Sequence, residues 1–189
     1  MNCVTVAHAI GCRRFICTGT VAEYEPLYAY YLNETEPITA YRNPYASSKI
    51  MARTTCMPYA VDLGLECIWA TLVNVYGIGG KSDLFIMSLI QDVLNSRPQN
   101  FTSAEQIYNF IYVSDAAKGI FLAAEKGKSN AIYTVGSGKA RQLKEFIMAV
   151  FNELDPNERS QRTKLTLLGI LSLVRPIAVT FTPFFKQLD

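Results

Sequence analysis

Tyr45 and Lys49 stand four residues apart in the stretch "RNPYASSKIMART", Arg42 to Thr54. On a helix those two positions share a face, so an ammonium group can lie close to a phenol. A free tyrosine titrates at about 10, and a nearby positive charge favours its phenolate. A tyrosine poised in this way can take a proton from an alcohol near neutral pH. The chain has eleven tyrosines, so one such spacing arises readily by chance. The chemistry also needs a hydroxyl to hold the substrate oxygen and an acceptor for hydride. Thr18 and Thr20 supply candidate hydroxyls at the end of the run "RFICTGT". The carboxyl end of a buried strand is where open α/β sheets hold their ligands.

The elements that would position these residues follow from the apolar pattern. Short apolar runs alternate with longer helical patterns, which predicts an α/β fold with a largely parallel sheet. "CVTVAHAI" reads as a helix stopped by Gly11, and Arg14–Thr18 as a strand. A long helix is expected from Pro44 to Leu63, closed by Gly64, with Pro58 inside it at a cost of about 3 kcal/mol. "LECIWATLVNVYG" carries a strand buried on both faces, Cys67 to Val73. "SDLFIMSLIQDVLNS" and "SDAAKGIFLAAEKG" read as helices capped by their Ser-Asp pairs. "AIYTVGSG" reads as a strand entering a glycine turn, and "ARQLKEFIMAVFNEL" as a helix. Residues 1–156 are expected to form the folded part, and 157–189 a divergent tail. The longest uncharged run of that tail, Leu165 to Val174, is too short to cross a membrane.

Composition narrows the function classes. The chain has 189 residues, of which 50% are hydrophobic and 18% charged, and its formal net charge is +2. That balance gives no footprint for nucleic acid or an acidic membrane surface. The five cysteines, Cys3, Cys12, Cys17, Cys56 and Cys67, form an odd set without a CxxC pair, and His8 is the only histidine. A disulfide framework and a metal site are therefore not expected. Met1 to Ile10 lacks the pattern of a signal peptide, and a reducing cytoplasm fits the cysteine usage.

Five stretches in order carry a further reading: "RRFICTGTVAEY", "NPYASSK", "LVNVYGIGG", "YNFIYVSDAA" and "YTVGSG". Together they resemble the extended short-chain dehydrogenase/reductase family, most closely its NAD-dependent nucleotide-sugar epimerases, dehydratases and 4-keto reductases. The resemblance runs from about residue 2 to about residue 153. Aligning Tyr24 with the family's motif tyrosine puts Thr20 at the catalytic hydroxyl, 25 residues before Tyr45, which is the family spacing. The resemblance implies a catalytic trio of Thr20, Tyr45 and Lys49. Tyr45 would act as acid/base at the sugar's 4-hydroxyl, and Thr20 would hold that oxygen. Thr18, Tyr45, Lys49 and Val73 would face NAD or NADP, while Thr20 and Asn74 would face a nucleotide-sugar substrate. Asp115 matches a family aspartate that caps a helix.

The departures from the family pattern carry information too. Dehydratases of the family follow the threonine with Asp-Glu, and here Val21 and Ala22 stand there, neither able to move a proton. Glu23 comes one residue too late. An epimerase or a 4-keto-sugar reductase is the expected activity. Thr71 replaces an arginine that often precedes the asparagine, and "GIGG" replaces the commoner "GPG". No GxxGxxG turn precedes Gly11, so the expected fold is an incomplete Rossmann-like doubly wound sheet lacking the first βαβ unit and its phosphate-binding loop. The alternative expectation is a truncated, non-catalytic remnant or interaction module that no longer binds cofactor. A homodimer, or a partner that covers the open sheet edge, is the expected assembly.

Overall fold

A computed structural model describes residues 1–24, 43–97 and 100–154. The expected tail, 157–189, lies outside the described residues. The fold begins with helix α1 (Asn2–Ala9), strand β1 (Arg14–Thr20), a 3₁₀ turn (Val21–Glu23) and helix α2 (Pro44–Asp62). Strands β2 (Glu66–Leu72) and β3 (Asn74–Tyr76) follow, then helix α3 (Phe85–Leu94). Next come β4 (Ile107–Tyr108), β5 (Phe110–Tyr112) and helix α4 (Val113–Lys126). The last described elements are β6 (Ile132–Val135), β7 (Arg141–Gln142) and helix α5 (Leu143–Leu154). The α/β class is as expected.

These elements form two compact units. The first comprises Met1–Val73 and Ser114–Gly136, and the second comprises Asn74–Val113 with residues 137–154. In the first, a parallel sheet runs in the order β1-β2-β6. β1 pairs with β2 from Arg14↔Glu66 to Thr20↔Leu72, and β2 with β6 from Trp69↔Ile132 to Leu72↔Val135. Cys67, Ile68, Trp69, Ala70 and Thr71 are all buried, as a central strand covered on both faces requires. Val4 and Ala7 of α1 and Cys56 and Ala60 of α2 pack with Leu65 and Cys67. Ala123 of α4 packs with Ile68 and Tyr133.

The second unit pairs β3 with β5 in parallel and β4 with β7 antiparallel. Its core gathers Ile86, Leu89, Ile90 and Val93 of α3 with Phe146, Ile147, Val150 and Leu154 of α5. Both sets follow helical spacing, so each helix turns one apolar stripe inward. Phe110 and Phe146 meet edge to face with ring centroids 4.8 Å apart.

Several local expectations change. β1 runs two residues further than expected, to Thr20, and the apolar run after Glu66 breaks at Val73, where the chain leaves one sheet for another. The Ser82-Asp83 pair does not cap α3, because the N-cap is Leu84 without a side-chain cap bond. Asp115 lies inside the first turn of α4 and faces Lys118 at 3.8 Å, so it is not the cap residue expected. α2 continues through Pro58 as one helix. That residue is exposed, and so is Thr54, whose carbonyl loses its i+4 donor, so water can take the vacant acceptor. Among the described residues no helix is long and apolar enough to cross a membrane.

Candidate active site

The chain prepares the start of α2 locally. Asn43 is its N-cap, and the Asn43 side-chain oxygen accepts from the backbone N–H of Tyr45 at 2.9 Å and of Ala46 at 3.4 Å. Pro44 fills the first helical position, where a missing N–H costs nothing. This start fixes Tyr45 in the first turn as a residue 55% exposed, open to a ligand. The Tyr45 carbonyl accepts from the Ser48 hydroxyl at 2.7 Å, which tightens the same turn. Lys49 follows one turn later on the same face.

Lys49 then reaches across to the sheet. Its ammonium donates to the backbone carbonyl of Thr18 at 2.8 Å, across 31 residues of sequence. An ammonium has three donors, and among the described residues only this one is engaged. The bond ties the tyrosine-bearing turn of α2 to the carboxyl end of β1, where Thr18 is exposed and Thr20 half-buried. Thr18, Thr20, Tyr45 and Lys49 all belong to the first unit, as does Val73. The buried Val73 closes the sheet at the end of β2, its N–H donating to the Val135 carbonyl at 3.2 Å.

Thr20 does two things at once. Its hydroxyl oxygen accepts from the Ala22 N–H at 3.3 Å, and its own N–H donates to Glu23 Oε1 at 2.7 Å. This reciprocal arrangement is a capping box built from "TVAE". The cap uses one lone pair of the hydroxyl and leaves its O–H donor without a partner among the described residues.

Two residues that sequence reasoning missed complete the surroundings. Glu23 is fully buried, and its Oε2 lies 3.6 Å from Arg53 Nη1. Arg53, one turn beyond Lys49, also donates from Nη1 to the Tyr24 hydroxyl at 3.2 Å. The S/T-x-x-E pattern could have marked Glu23 as a cap partner, whereas the ion pair spans 30 residues and has no local signal. Gly19 makes the space for it. A methyl group at that position would collide with Trp69 Nε1 and Glu23 Oε1.

Asn74 is placed differently. It opens the second unit, and its side-chain amide donates to the Asn109 carbonyl at 3.1 Å, while its backbone N–H reaches the same oxygen at 3.3 Å. Beneath the sheet surface, Cys17 lies against Cys67. A hydrogen bond to Cys67 and then burial push the Cys17 thiol far above its ordinary range, so it holds its proton.

The model of the NAD dependent epimerase/dehydratase family matches residues 1–136. The chain belongs to this epimerase/dehydratase family. Among its curated relatives, dTDP-glucose 4,6-dehydratase of Shigella flexneri is 25% identical over 147 residues, which is 72% of this chain and 41% of that one. GDP-6-deoxy-D-mannose reductase of Pseudomonas aeruginosa is 26% identical over 112 residues, covering 56% of this chain and 37% of the reductase. Two solved structures share the fold. UDP-N-acetylglucosamine 4-epimerase from Methanobrevibacter ruminantium, solved with UDP-N-acetylmuramic acid, gives a TM-score of 0.74 at 22% identity over 81% of this chain and 50% of that one. RMD from Pseudomonas aeruginosa, solved with NADPH, gives 0.72 at 21% identity over 82% and 56%. This epimerase/dehydratase chain thus spans about two-fifths of these curated relatives and about half of the solved ones.

Proposed function

We propose that this chain carries the proton-transfer and ribose-binding part of an NAD(P)-dependent site that acts on a nucleotide-linked sugar, as an epimerase or a 4-keto-sugar reductase. The single observation that carries the reading is the bond from Lys49 to the Thr18 carbonyl, which sets α2 beside the strand end that bears Thr20. The residues fit the nicotinamide-ribose end of such a cofactor: two ammonium donors remain on Lys49 among the described residues, Tyr45 is exposed, and Val73 closes the neighbouring strand. NAD(P), when bound, supplies or accepts the hydride.

The chain's own residues handle the proton. Tyr45 takes the proton from the sugar's 4-hydroxyl, or returns it to the 4-keto oxygen, through its phenol oxygen. The O–H of Thr20 donates to that same sugar oxygen and holds it in line, while the capping bond from Ala22 fixes the hydroxyl's direction. Lys49 would hold the cofactor's ribose hydroxyls, and its charge would compensate the phenolate while the proton is away. Asn74 is proposed to bind the sugar nucleotide.

Elimination of water across the sugar is disfavoured for this chain. Val21 and Ala22 carry no proton, and Glu23 is enclosed with Arg53. The test is a panel of dTDP-, UDP- and GDP-hexoses with NAD(H) and NADP(H), with products sorted as epimer, reduced sugar or dehydrated sugar. Epimer or reduced sugar supports the reading, and a dehydrated 4-keto-6-deoxy product refutes this part of it. A folded chain that binds neither cofactor nor sugar nucleotide supports the other reading, a non-catalytic interaction module. The outer edge of β1, which pairs with no described strand, is the surface such a module would present.

A further inference from the structure

We propose that Glu23 is a positioning residue whose buried carboxylate clamps Thr20 to the helix that carries Tyr45 and Lys49. The proposal rests on the reading of those three residues given above. A capping glutamate needs only a rim position, where its charge stays in water. Glu23 is instead fully enclosed, and an enclosed carboxylate is costly unless hydrogen-bonded and charge-compensated. Its two oxygens divide that task. Oε1 accepts the Thr20 N–H at 2.7 Å, and Oε2 faces Arg53 Nη1 at 3.6 Å.

Arg53 is placed for more than charge balance. It follows Lys49 by one helical turn and Tyr45 by two, so Tyr45, Lys49 and Arg53 run along one face of α2. Arg53 also donates to the Tyr24 hydroxyl at 3.2 Å, which closes the chain just after the 3₁₀ turn. The clamp therefore holds both sides of the strand end. Lys49 grips the carbonyl of Thr18, and Glu23 links the N–H of Thr20 to Arg53. Gly19, between them, has no side chain and leaves its space to Glu23 and Trp69.

A purely structural pair would be replaceable. Apolar residues of similar volume often keep or raise stability when they replace a buried ion pair. The register of a proton-transfer site is less forgiving, since a displacement of about 1 Å can cost about 100-fold in rate. The structure thus retains an expensive ion pair at the place where two elements must stay in register.

The test separates stability from register with Glu23→Leu/Arg53→Met, the conservative variant Arg53→Lys, and the core variant Ile68→Val as a control for stability. Each is measured for Tm, for kcat and KM on a sugar nucleotide that the wild type turns over, and for hydrogen exchange of the Thr20 amide. The double variant is expected to keep its Tm while the Thr20 amide exchanges at least about tenfold faster, because its acceptor is gone. Its kcat is expected to fall about 10–100-fold with KM within about twofold. Arg53→Lys should recover most of that rate, and Ile68→Val should leave kcat and the Thr20 amide unchanged. A double variant with wild-type kcat, or with an unchanged Thr20 amide, overturns the proposal. If the double variant does not fold, Glu23→Gln, which keeps shape and the Thr20 acceptor but removes the charge, decides on kcat: a fall supports the clamp and a wild-type value overturns it. Absence of turnover by a folded wild type overturns the site reading, and the positioning role with it, whatever the amide exchange shows.

Discussion

The Lys49 ammonium and the Thr18 carbonyl meet at 2.8 Å although 31 residues separate them. That contact is the physical link between a helix start set by Asn43 and Pro44 and a strand end set by the pairing of β1 with β2. A lysine that served only to solvate its helix face would have no reason to cross to the sheet. The carbonyl partner of Lys49 lies two residues before Thr20, which caps the turn that leaves the strand.

Tyr45→Phe removes one oxygen from a residue that is 55% exposed. Stability should change by less than about 0.5 kcal/mol. Turnover of the sugar nucleotide should fall by about 10²–10⁴-fold, the usual contribution of a positioned acid/base. Steady-state kinetics beside a melting curve checks both.

Thr20→Val deletes the hydroxyl that caps the 3₁₀ turn and that is assigned to the substrate oxygen. The cap alone is worth about 1 kcal/mol, seen as a lower urea midpoint. The rate loss should exceed that stability loss, and Thr20→Ser should restore both. A Thr20→Val protein with normal turnover would show that the hydroxyl serves only the cap.

At Gly19 the expectation is a packing penalty. The methyl of Gly19→Ala meets Trp69 Nε1 and Glu23 Oε1, so the variant should lose about 1–3 kcal/mol in urea unfolding. Trp69 is buried there, so its fluorescence should report the displacement directly.

The thiols should separate by environment. Cys3 and Cys12 are exposed, Cys56 and Cys67 are buried, and Cys17 is half-buried with its proton held by Cys67. A thiol reagent at mildly alkaline pH should therefore label Cys3 and Cys12 quickly, since the thiolate is the reactive form. Cys17 should react slowly, and Cys56 and Cys67 only after unfolding. Peptide mapping after timed alkylation gives the order.

How much of this was legible in the sequence depends on distance along the chain. The start of α2 was, because Asn43, Pro44 and the helical pattern all act within one turn. Thr20 and Tyr45 were nominated by the resemblance of an ordered set of motifs and by their spacing within it, and their roles are the proposal above. The break at Val73 was not, since "LVNVYG" is apolar on both sides and only pairing with different strands divides it. Ser82-Asp83 and Ser114-Asp115 look like caps, yet α3 starts after the first pair and α4 before the second. The Glu23–Arg53 pair was hidden because burial of a carboxylate depends on Gly19, Trp69 and α2 together.

The most direct measurement is the affinity of the chain for NAD(H) and NADP(H), by calorimetry, for the wild type and Lys49→Ala with Tm recorded for both. Losing the charge-assisted bonds of the ammonium, at about 1.5–3 kcal/mol, should weaken binding about 10–100-fold while the protein remains folded. A folded wild type that binds neither cofactor up to millimolar concentration, or an affinity that Lys49→Ala leaves unchanged, would contradict the assignment of Lys49 to the cofactor and of this face of α2 to the active site.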